Sequence, residues 1–454
     1  MLTRRTFLGA AAAGAALAQS RQARPNILFI LADDLGYGDL GCYGQQRIQT
    51  PNLDRLVADG MRFTQAYSGS TVCAPSRCCL MTGRHTGHAS VRGNKVPELG
   101  LAKGETTVAS LLRSRGYRTA LFGKWGLGGF DMDSHPNDKG FEQFFGYLNQ
   151  THAHNSFPDY LWDNKSEFFL KDNWFDRKKL FSNDLFTDHA LKFVEQPEKD
   201  PFFLYLSYTI PHADNERGQY TKNGMESPDQ GPYAGQNWPE VEKNFAAAVT
   251  RMDTQIGKVL AALDAKGLRE NTLVVFSSDN GPHKEGGHDP DYFRSSGAVR
   301  GTKRDLYEGG IRVPAIANWK GRIKPGQVSD HSWAFWDFLP TAAELAGIQP
   351  PPRLDGISFL PALTGGNQKA HDYLYWEFFE GGFQQAVRQG DWKLVRQAPR
   401  QQLELFDLKA DLTESHNVAA QHPDVVAKMQ ALFKSARVDH PQFPTSRKVE
   451  SVPF

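Results

Sequence analysis

The chain has 454 residues, of which 40% are hydrophobic and 23% are charged, proportions typical of a soluble globular protein. This length is too great for one small domain and favours a large α/β unit with a smaller unit attached. The formal net charge is +1, and without residues 1–18, which carry Arg4 and Arg5, it becomes −1. Such a balanced charge argues against a nucleic acid or a membrane surface as the partner.

The first 18 residues form a segment of their own. Arg4 and Arg5 precede a short stretch rich in Ala, Gly and Leu, which ends in Ala16-Leu17-Ala18. This pattern is similar to a twin-arginine export signal, and the apolar run is too short to span a bilayer. We therefore expect a bacterial protein that passes through the twin-arginine (Tat) translocase to the periplasm or the exterior and has no membrane anchor.

From residue 26 onward, apolar strands alternate with amphipathic helices, which is typical of a parallel sheet covered by helices. The first helix is expected to have Thr50 as its N-cap, Pro51 in its first turn and Gly60 after its end. Helices are predicted at about residues 51–60 and 108–116, and strands at residues 27–32, 118–122, 202–206 and 272–276.

Polar side chains follow each of these four strands, and they are Asp33, Asp34, Lys124, His212, Asp279 and Asn280. Open α/β sheets bind ligands at the carboxyl ends of their strands, so we expect these side chains to share one crevice. The oxygen donors among them suit Ca²⁺ or Mg²⁺ better than zinc. The alternative is that these residues only cap helices and turn loops.

Two irregular stretches interrupt the alternation. Residues 146–186 are rich in aromatic side chains, which either pack on one another or line a substrate cleft where sugar rings would bind. A second, glycine-rich loop follows Asn280 and contains His283 and His288, at a position suited to a lid.

The pattern changes again near the C-terminus. A helix is predicted around Phe338 and Leu345, and residues 373–395 alternate as short strands separated by glycine turns, which indicates an antiparallel sheet. Residues 404–408 and a helix at about 423–436 complete the chain. The sequence therefore predicts a smaller α+β domain at residues 366–454, after a larger domain at residues 24–365.

The four cysteines make a poor disulfide framework for a chain of this length, and three of them, Cys73, Cys78 and Cys79, lie in one short stretch. Cys73 precedes a proline that favours a helix start, and alone this would indicate a buried cysteine in a turn. The longer string, CAPSR at residues 73–77 and LMTGR at residues 80–84, resembles the signature of the formylglycine-dependent sulfatases.

Further strings match that family in the expected order along most of the chain. They are DDLGYGD at residues 33–39, GKW at 123–125, SDNG at 278–281, Lys303 with EGG at 308–310, and ELFDL at 404–408 with NVA at 417–419. The resemblance implies the alkaline phosphatase-like fold, a large, mostly parallel mixed sheet sandwiched by helices, with a smaller C-terminal α+β domain.

The resemblance also implies a mechanism. A maturation enzyme would oxidise Cys73 to formylglycine, and the hydrated aldehyde would attack sulfur beside a cation, Ca²⁺ or Mg²⁺, held by Asp33, Asp34, Asp279, Asn280 and residue 73. Arg77, Lys124 and Lys303 would neutralise the transferring group. His212 is the expected general acid, because imidazole titrates near neutral pH.

One departure from the family lies after the first lysine. The family often has a histidine two residues beyond that lysine, and here the position is Gly126. Two alternatives stay open: His152 or His154 takes its place, or the step proceeds without it.

The expected substrate is a sulfated carbohydrate, of galactose or N-acetylgalactosamine type, bound by His152, His154 and His283. Two alternatives stay open from the residues alone. One is a phosphonate or phosphate ester hydrolase of the same superfamily, and the other is a non-catalytic protein that binds sulfated glycans and keeps Cys73 as a thiol.

Overall fold

The computed structural model describes residues 24–95, 98–130, 132–196, 199–398 and 402–445. The strands within these residues are β1 Asn26–Ala32, β2 Met61–Phe63, β3 Ala66–Tyr67, β4 Arg118–Lys124, β5 Gln143–Tyr147, β6 Tyr160–Asp163, β7 Ser166–Phe169, β8 Phe202–Ser207, β9 Thr272–Ser278, β10 Ala315–Asn318, β11 Gln327–Ser329, β12 Trp333–Ala334, β13 Leu374–Phe378, β14 Gln384–Gln389, β15 Trp392–Gln397 and β16 Gln402–Asp407. The proposed export signal at residues 1–18 lies outside the described residues.

The α-helices lie between these strands. They are α1 Pro51–Ala58, α2 Cys73–Thr82, α3 Val108–Ser114, α4 Ser182–Glu195, α5 Asn215–Thr221, α6 Glu240–Ala265, α7 Pro290–Phe293, α8 Glu308–Ile311, α9 Phe338–Ala346, α10 Leu360–Thr364 and α11 Pro423–Ser435. No helix of the described residues is long and apolar enough to cross a membrane.

The large sheet has ten strands in the order β11-β2-β10-β9-β1-β8-β4-β5-β6-β7. The central run from β9 to β5 is parallel, whereas β10, β6 and β7 are antiparallel to their neighbours. The four strands predicted from the sequence are therefore adjacent in space, as β9, β1, β8 and β4. This arrangement confirms the predicted fold class and brings the carboxyl ends of these strands to one edge of the sheet.

Helices cover both faces of this sheet, and strand β1 shows why. Its side chains alternate between two separate cores, since Phe29 packs in one core and Ile30 packs in the other. The first core contains side chains of α2, α3 and α9, and the second contains side chains of α4 and α6. A strand buried on both faces needs apolar side chains at successive positions, and residues 27–32 have this pattern.

The first helix starts at the expected residues, with Thr50 in the N-cap position. Pro51 occupies its first turn, as predicted, but the Thr50 side chain makes no cap hydrogen bond to the helix. Its hydroxyl instead accepts from Gly41 N at 2.9 Å and contacts Asp54 Oδ1 at 3.2 Å. Thr50 thus fixes the preceding loop.

The aromatic stretch at residues 146–186 extends the large sheet through the hairpin of β6 and β7. Part of it packs on its own rings, as Tyr160 does against Trp162 and Phe169. The ring of Phe175 is left 88% exposed. Strands β6 and β7 of the stretch therefore form the antiparallel edge of the sheet.

Strands β13 to β16 form the predicted antiparallel sheet. One of its faces, with Trp376 and Val395, joins the first core, and the other, with Tyr375 and Leu394, packs against α11. All four cysteines are free, and Cys73, Cys78 and Cys79 are buried. The domain boundary at residue 366 stays a prediction.

Candidate active site

Helix α2 places Cys73 at its first position, as the sequence predicts. All ten residues of the helix are buried, and Gly83 ends it in the left-handed conformation with φ +70°. The Cys73 Sγ lies 3.4 Å from Asp33 Oδ1, at the end of β1. Burial, and then the Asp33 carboxylate, raise the pKa of the Cys73 thiol well above its usual range. The unmodified thiol therefore stays protonated and is a poor nucleophile.

Asp33 and Asp34 each pair with one of the two predicted lysines. Lys124 Nζ donates to Asp33 Oδ2 at 2.7 Å, and Lys303 Nζ donates to Asp34 Oδ2 at 2.8 Å. Burial opposes a charge on either lysine, but the carboxylates outweigh it and raise the pKa of both. Asp34 has φ +66°, so its side chain leaves the strand end in another direction from that of Asp33.

Arg77 joins Asp33 and Asp279 through its guanidinium. Its Nε and Nη2 donate to Asp279 Oδ2 at 3.0 and 2.8 Å, and Nη2 also lies 3.2 Å from Asp33. Its Nη1 donates to Lys124 O and Ser207 Oγ. The N–H groups of this fully buried guanidinium thus all have protein partners. Its positive charge lies beside Asp33 and Asp279, and its predicted part in neutralising the transferring group stays a prediction.

The oxygen donors of this cluster fit a hard divalent cation. Asn280 Nδ2 donates to Asp34 Oδ1 at 2.6 Å and to Gly281 O, whereas Asn280 Oδ1 is buried and has no hydrogen-bond partner. Burial, and then the nearby Asp33 charge, raise the pKa of Asp279 to about 7. Three crowded carboxylates and an unpartnered amide oxygen are the kind of donor set that Ca²⁺ or Mg²⁺ takes.

The loop after β9 and the start of helix α8 are in close backbone contact. A Cβ on Gly281 would lie 1.8 Å from Gly309 O, so only glycine allows the loop after β9 to touch the start of α8.

His212 lies above Asp34 and Lys303. Four side chains, those of Asp33, Asp34, Cys73 and His212, each place one possible metal-ligand atom within 4.8 Å of the other three. These atoms are carboxylate oxygens, the Cys73 Sγ and a ring nitrogen of His212. His212 Nδ1 is 2.7 Å from Ala213 O, so Nδ1 carries the proton, because a carbonyl only accepts. Nε2 then accepts from Lys303 Nζ at 3.2 Å. Burial, and then the Lys303 charge, lower the pKa of His212 to about 3, so the ring is neutral at neutral pH.

The three histidines predicted to bind substrate have different surroundings. The ring of His154 stacks on His212, with centroids 4.8 Å apart, and its Nδ1 is 3.0 Å from Glu216 Oε2. His152 packs against Tyr147 and Tyr160.

His283 is fully buried, and both of its ring nitrogens have backbone partners. Nε2 lies 3.0 Å from Pro211 O, and Nδ1 accepts from Glu285 N at 3.0 Å. In this structure His283 therefore holds the loop that contains Glu285 against the loop that contains His212.

Glu285 is a site residue that the sequence did not single out. Its Oε2 accepts from Lys303 Nζ at 2.8 Å and lies 3.7 Å from His212 Nε2, and its Oε1 accepts from Arg304. Burial opposes its charge, but Lys303 and then His212 hold the pKa of Glu285 well below its usual range. The only signal was its place in the glycine-rich loop after Asn280, and an acidic residue in such a loop is common.

Gln150 fills the space beside Gly126. A Cβ on Gly126 would lie 2.4 Å from Gln150 Nε2, and Arg77 Cδ is the next side chain, at 3.6 Å. Gln150 Nε2 also donates to Gly126 O at 3.0 Å. The side chain in contact with this position is thus a carboxamide, and the part of His152 or His154 in place of the histidine stays a prediction.

Two models of known protein families match this chain. The model of the Sulfatase family matches residues 25–348, and that of the "N-sulphoglucosamine sulphohydrolase, C-terminal" family matches residues 301–439. The first match alone covers more than half of the chain.

Individual relatives cover nearly the whole chain. The N-acetylgalactosamine-6-sulfatase of Mus musculus is 31% identical over 93% of this chain and 82% of its own length. Arylsulfatase A of Homo sapiens is 35% identical over 86% of this chain and 77% of its own length. The solved structure of Ps i-CgsB in complex with k-i-k-neocarrahexaose superposes with a TM-score of 0.80 at 28% identity, and covers 93% of this chain and 95% of that chain.

Proposed function

Because the chain belongs to the sulfatase family, within the alkaline phosphatase superfamily, and is a sulfuric ester hydrolase, we propose that it removes sulfate from a sulfated carbohydrate at a formylglycine formed from Cys73. The observation that carries this proposal is the position of Cys73. It starts a buried helix, 3.4 Å from Asp33, within a cluster of two lysines, a histidine and the oxygen donors of two strand ends.

The proposed cation is Ca²⁺, with Mg²⁺ as the alternative, held by Asp33, Asp34, Asp279, Asn280 and residue 73. When bound, it would supply positive charge for the nucleophilic oxygen of residue 73 and for the sulfate. The protonated thiol of Cys73 fits its role as a precursor, because a thiol in this surrounding is a poor nucleophile.

Lys124, Lys303 and His212 are the groups proposed to act on the substrate. The two lysines keep their charge in the buried site because Asp33 and Asp34 stabilise it, so they can bind sulfate oxygens. His212 Nε2 carries no proton in this structure. To act as the general acid it must first gain a proton at this nitrogen, which in this structure accepts from Lys303 Nζ at 3.2 Å.

The proposed substrate class is a sulfated sugar of galactose or N-acetylgalactosamine type. Two relatives support it, since one is named for N-acetylgalactosamine 6-sulfate and the other was solved with a neocarrahexaose. His154, stacked on His212, and the aromatic side chains of residues 146–186 are the proposed contacts for the sugar.

The place of action is also a proposal. The twin-arginine pattern at Arg4 and Arg5 supports export through the Tat translocase to the periplasm or the exterior. Export in the folded state suits this chemistry, because the chain would then fold in the cytoplasm. A maturation enzyme there could reach Cys73 before helix α2 is buried.

The test combines a mass measurement with a substrate panel. On protein produced with a maturation enzyme, the peptide that contains residue 73 should show the mass loss of thiol-to-aldehyde conversion. Wild-type protein should hydrolyse a 4-nitrophenyl sulfate ester or a monosulfated galactose or N-acetylgalactosamine, and Cys73→Ala should hydrolyse neither.

The same panel includes 4-nitrophenyl phosphonate esters. Faster hydrolysis of phosphonate than of sulfate would move the assignment to the other branch of the superfamily. An unmodified thiol in active protein would overturn the formylglycine proposal.

A further inference from the structure

Glu285 lies where the buried part of the site meets solvent. Side-chain exposure rises from 3% for Lys303 to 16% for Glu285 and 45% for Arg304, and consecutive members of this row form ion pairs. The row begins at Asp34, which pairs with Lys303 and is fully buried. A sulfate bound beside Lys303 therefore has the Glu285 carboxylate as a neighbour on the side that leads to solvent.

The backbone on both sides holds Glu285 in place. His283 Nδ1 accepts from Glu285 N at 3.0 Å, and Gly286 O accepts from Gly224 N at 2.7 Å. A Cβ on Gly286 would lie 2.6 Å from the Ala213 Cβ, so the loop is in close contact with the residue after His212. A carboxylate held this way keeps its place when a substrate arrives.

The Glu285 carboxylate limits which substrate groups can lie beside it, because it only accepts hydrogen bonds. An ionised carboxylate has about four lone-pair positions and no hydrogen to donate. Lys303 and Arg304 each use one position, on different oxygens. The remaining positions can accept from a hydroxyl. They cannot serve a sulfate group, because sulfate oxygens also only accept and carry the same sign of charge.

We propose that Glu285 is a specificity-determining residue that accepts a hydrogen bond from a free hydroxyl adjacent to the sulfate ester being cleaved. At the same position it excludes a second sulfate. This inference rests on the proposed function, since it needs a sulfated sugar bound at Lys303 and His212. The protein then acts on sugars whose neighbouring hydroxyl is free and disfavours disulfates in which that hydroxyl is also sulfated.

The test measures kcat/KM on paired probes. They are N-acetylgalactosamine 6-sulfate against N-acetylgalactosamine 4,6-disulfate, and 4-nitrocatechol sulfate, which has a neighbouring hydroxyl, against 4-nitrocatechol disulfate. Wild type should prefer the monosulfate by about 100-fold or more, as expected where buried polar groups select a hydroxyl. Glu285→Gln keeps an acceptor but removes the charge, and the preference should fall at least about tenfold.

Glu380→Gln is the matched control. Glu380 pairs with the other side of Arg304 through Nε at 2.9 Å, so its loss also changes the charge near the opening. It should leave the preference within about twofold of wild type, because rim charges contribute little to selectivity.

The outcomes separate the two proposals. Wild type that hydrolyses none of these probes overturns the proposed function and this role of Glu285 with it. Wild type that cleaves the monosulfates but cleaves the disulfates equally well, or better through binding of the second sulfate to Arg304, overturns the role of Glu285 alone. An unchanged preference in Glu285→Gln does the same.

Discussion

At the scale of single residues, Arg77 connects several parts of the candidate active site. Its planar guanidinium meets Asp279 through two nitrogens, reaches Asp33 with one of them and bonds Lys124 O and Ser207 with the third. It thereby sets the positions of two proposed cation ligands and of the strand end that carries Lys124. A lysine offers one nitrogen and cannot reproduce these contacts.

Arg77→Lys is therefore expected to lower both kcat/KM and Ca²⁺ affinity by about 10- to 100-fold, the usual cost of losing a residue that orients metal ligands. Ca²⁺ affinity is measured by titration calorimetry on chelator-treated protein, and activity on the aryl sulfate. Arg84→Lys, beyond the end of helix α2, is the control and should change neither quantity. Normal Ca²⁺ affinity in Arg77→Lys would show that Asp33 and Asp279 need no such support.

At the scale of elements, the loop after β4 depends on a matched pair, Gly126 and Gln150. Gly126 has φ +69°, and its missing side chain leaves the space that the Gln150 carboxamide occupies. The Gly126 N also donates to Leu148 O at 2.9 Å, so the loop continues the pairing of β4 with β5. The backbone conformation after Lys124 thus depends on Gln150, which lies 24 residues after Gly126 in the chain.

Gly126→Ala is expected to lower the free energy of unfolding through two separate costs, the left-handed backbone, worth about 1 kcal/mol, and the contact with Gln150 Nε2. In a Gln150→Ala background the second cost disappears, so the same change should be less destabilising. Urea unfolding of the four proteins measures the difference.

Gly347→Ala separates the two costs. Gly347 has φ +64° and nothing within 4 Å of its Cβ position, so it should show the backbone cost alone. Equal destabilisation at Gly126 and Gly347 would contradict the role given to Gln150.

At the scale of the whole molecule, a buried ion cluster joins the C-terminal sheet to the large domain. Lys393 of β15 lies 2.9 Å from both Glu308 of α8 and Glu414, and the side chains of all three are fully buried. Glu308 also accepts from Tyr67 Oη at 2.7 Å. Although burial favours the neutral acid, Lys393 and then Arg312 lower the pKa of Glu308 to about 2.

A lowered pKa in the folded state ties stability to pH. The ordinary pKa of a glutamate is 4.5, so the contribution of Glu308 is fully present above about pH 4.5 and is lost as the pH falls toward 2. Glu308→Gln should cost about 3 kcal/mol at neutral pH, because it leaves Lys393 less well paired in the interior. The difference from wild type should shrink below about pH 4.5.

Urea unfolding across this pH range measures the effect. Glu344→Gln, at an exposed glutamate on α9, is the control and should parallel wild type at every pH. A constant difference between Glu308→Gln and wild type down to about pH 2 would show that the charge of Glu308 does not stabilise the fold.

The sequence by itself determined the four central strands, the helix that starts at Cys73 and the convergence of Asp33, Asp34, Lys124, Asp279 and Asn280. These features depend on local signals, because a strand buried on both faces is apolar throughout and the carboxyl ends of parallel strands share one edge. The antiparallel C-terminal sheet was also visible, since its strands are short and its turns contain glycine.

Only the tertiary structure decided which side chains meet across the site. It gave Arg77 its protein partners, buried His283 between two backbone groups, put Gln150 beside Gly126 and brought Glu285 to Lys303. Arg77 and Asp279 are 202 residues apart in the chain. No pattern of neighbours along a sequence encodes such a contact, because it depends on how whole strands and loops are placed in the finished fold.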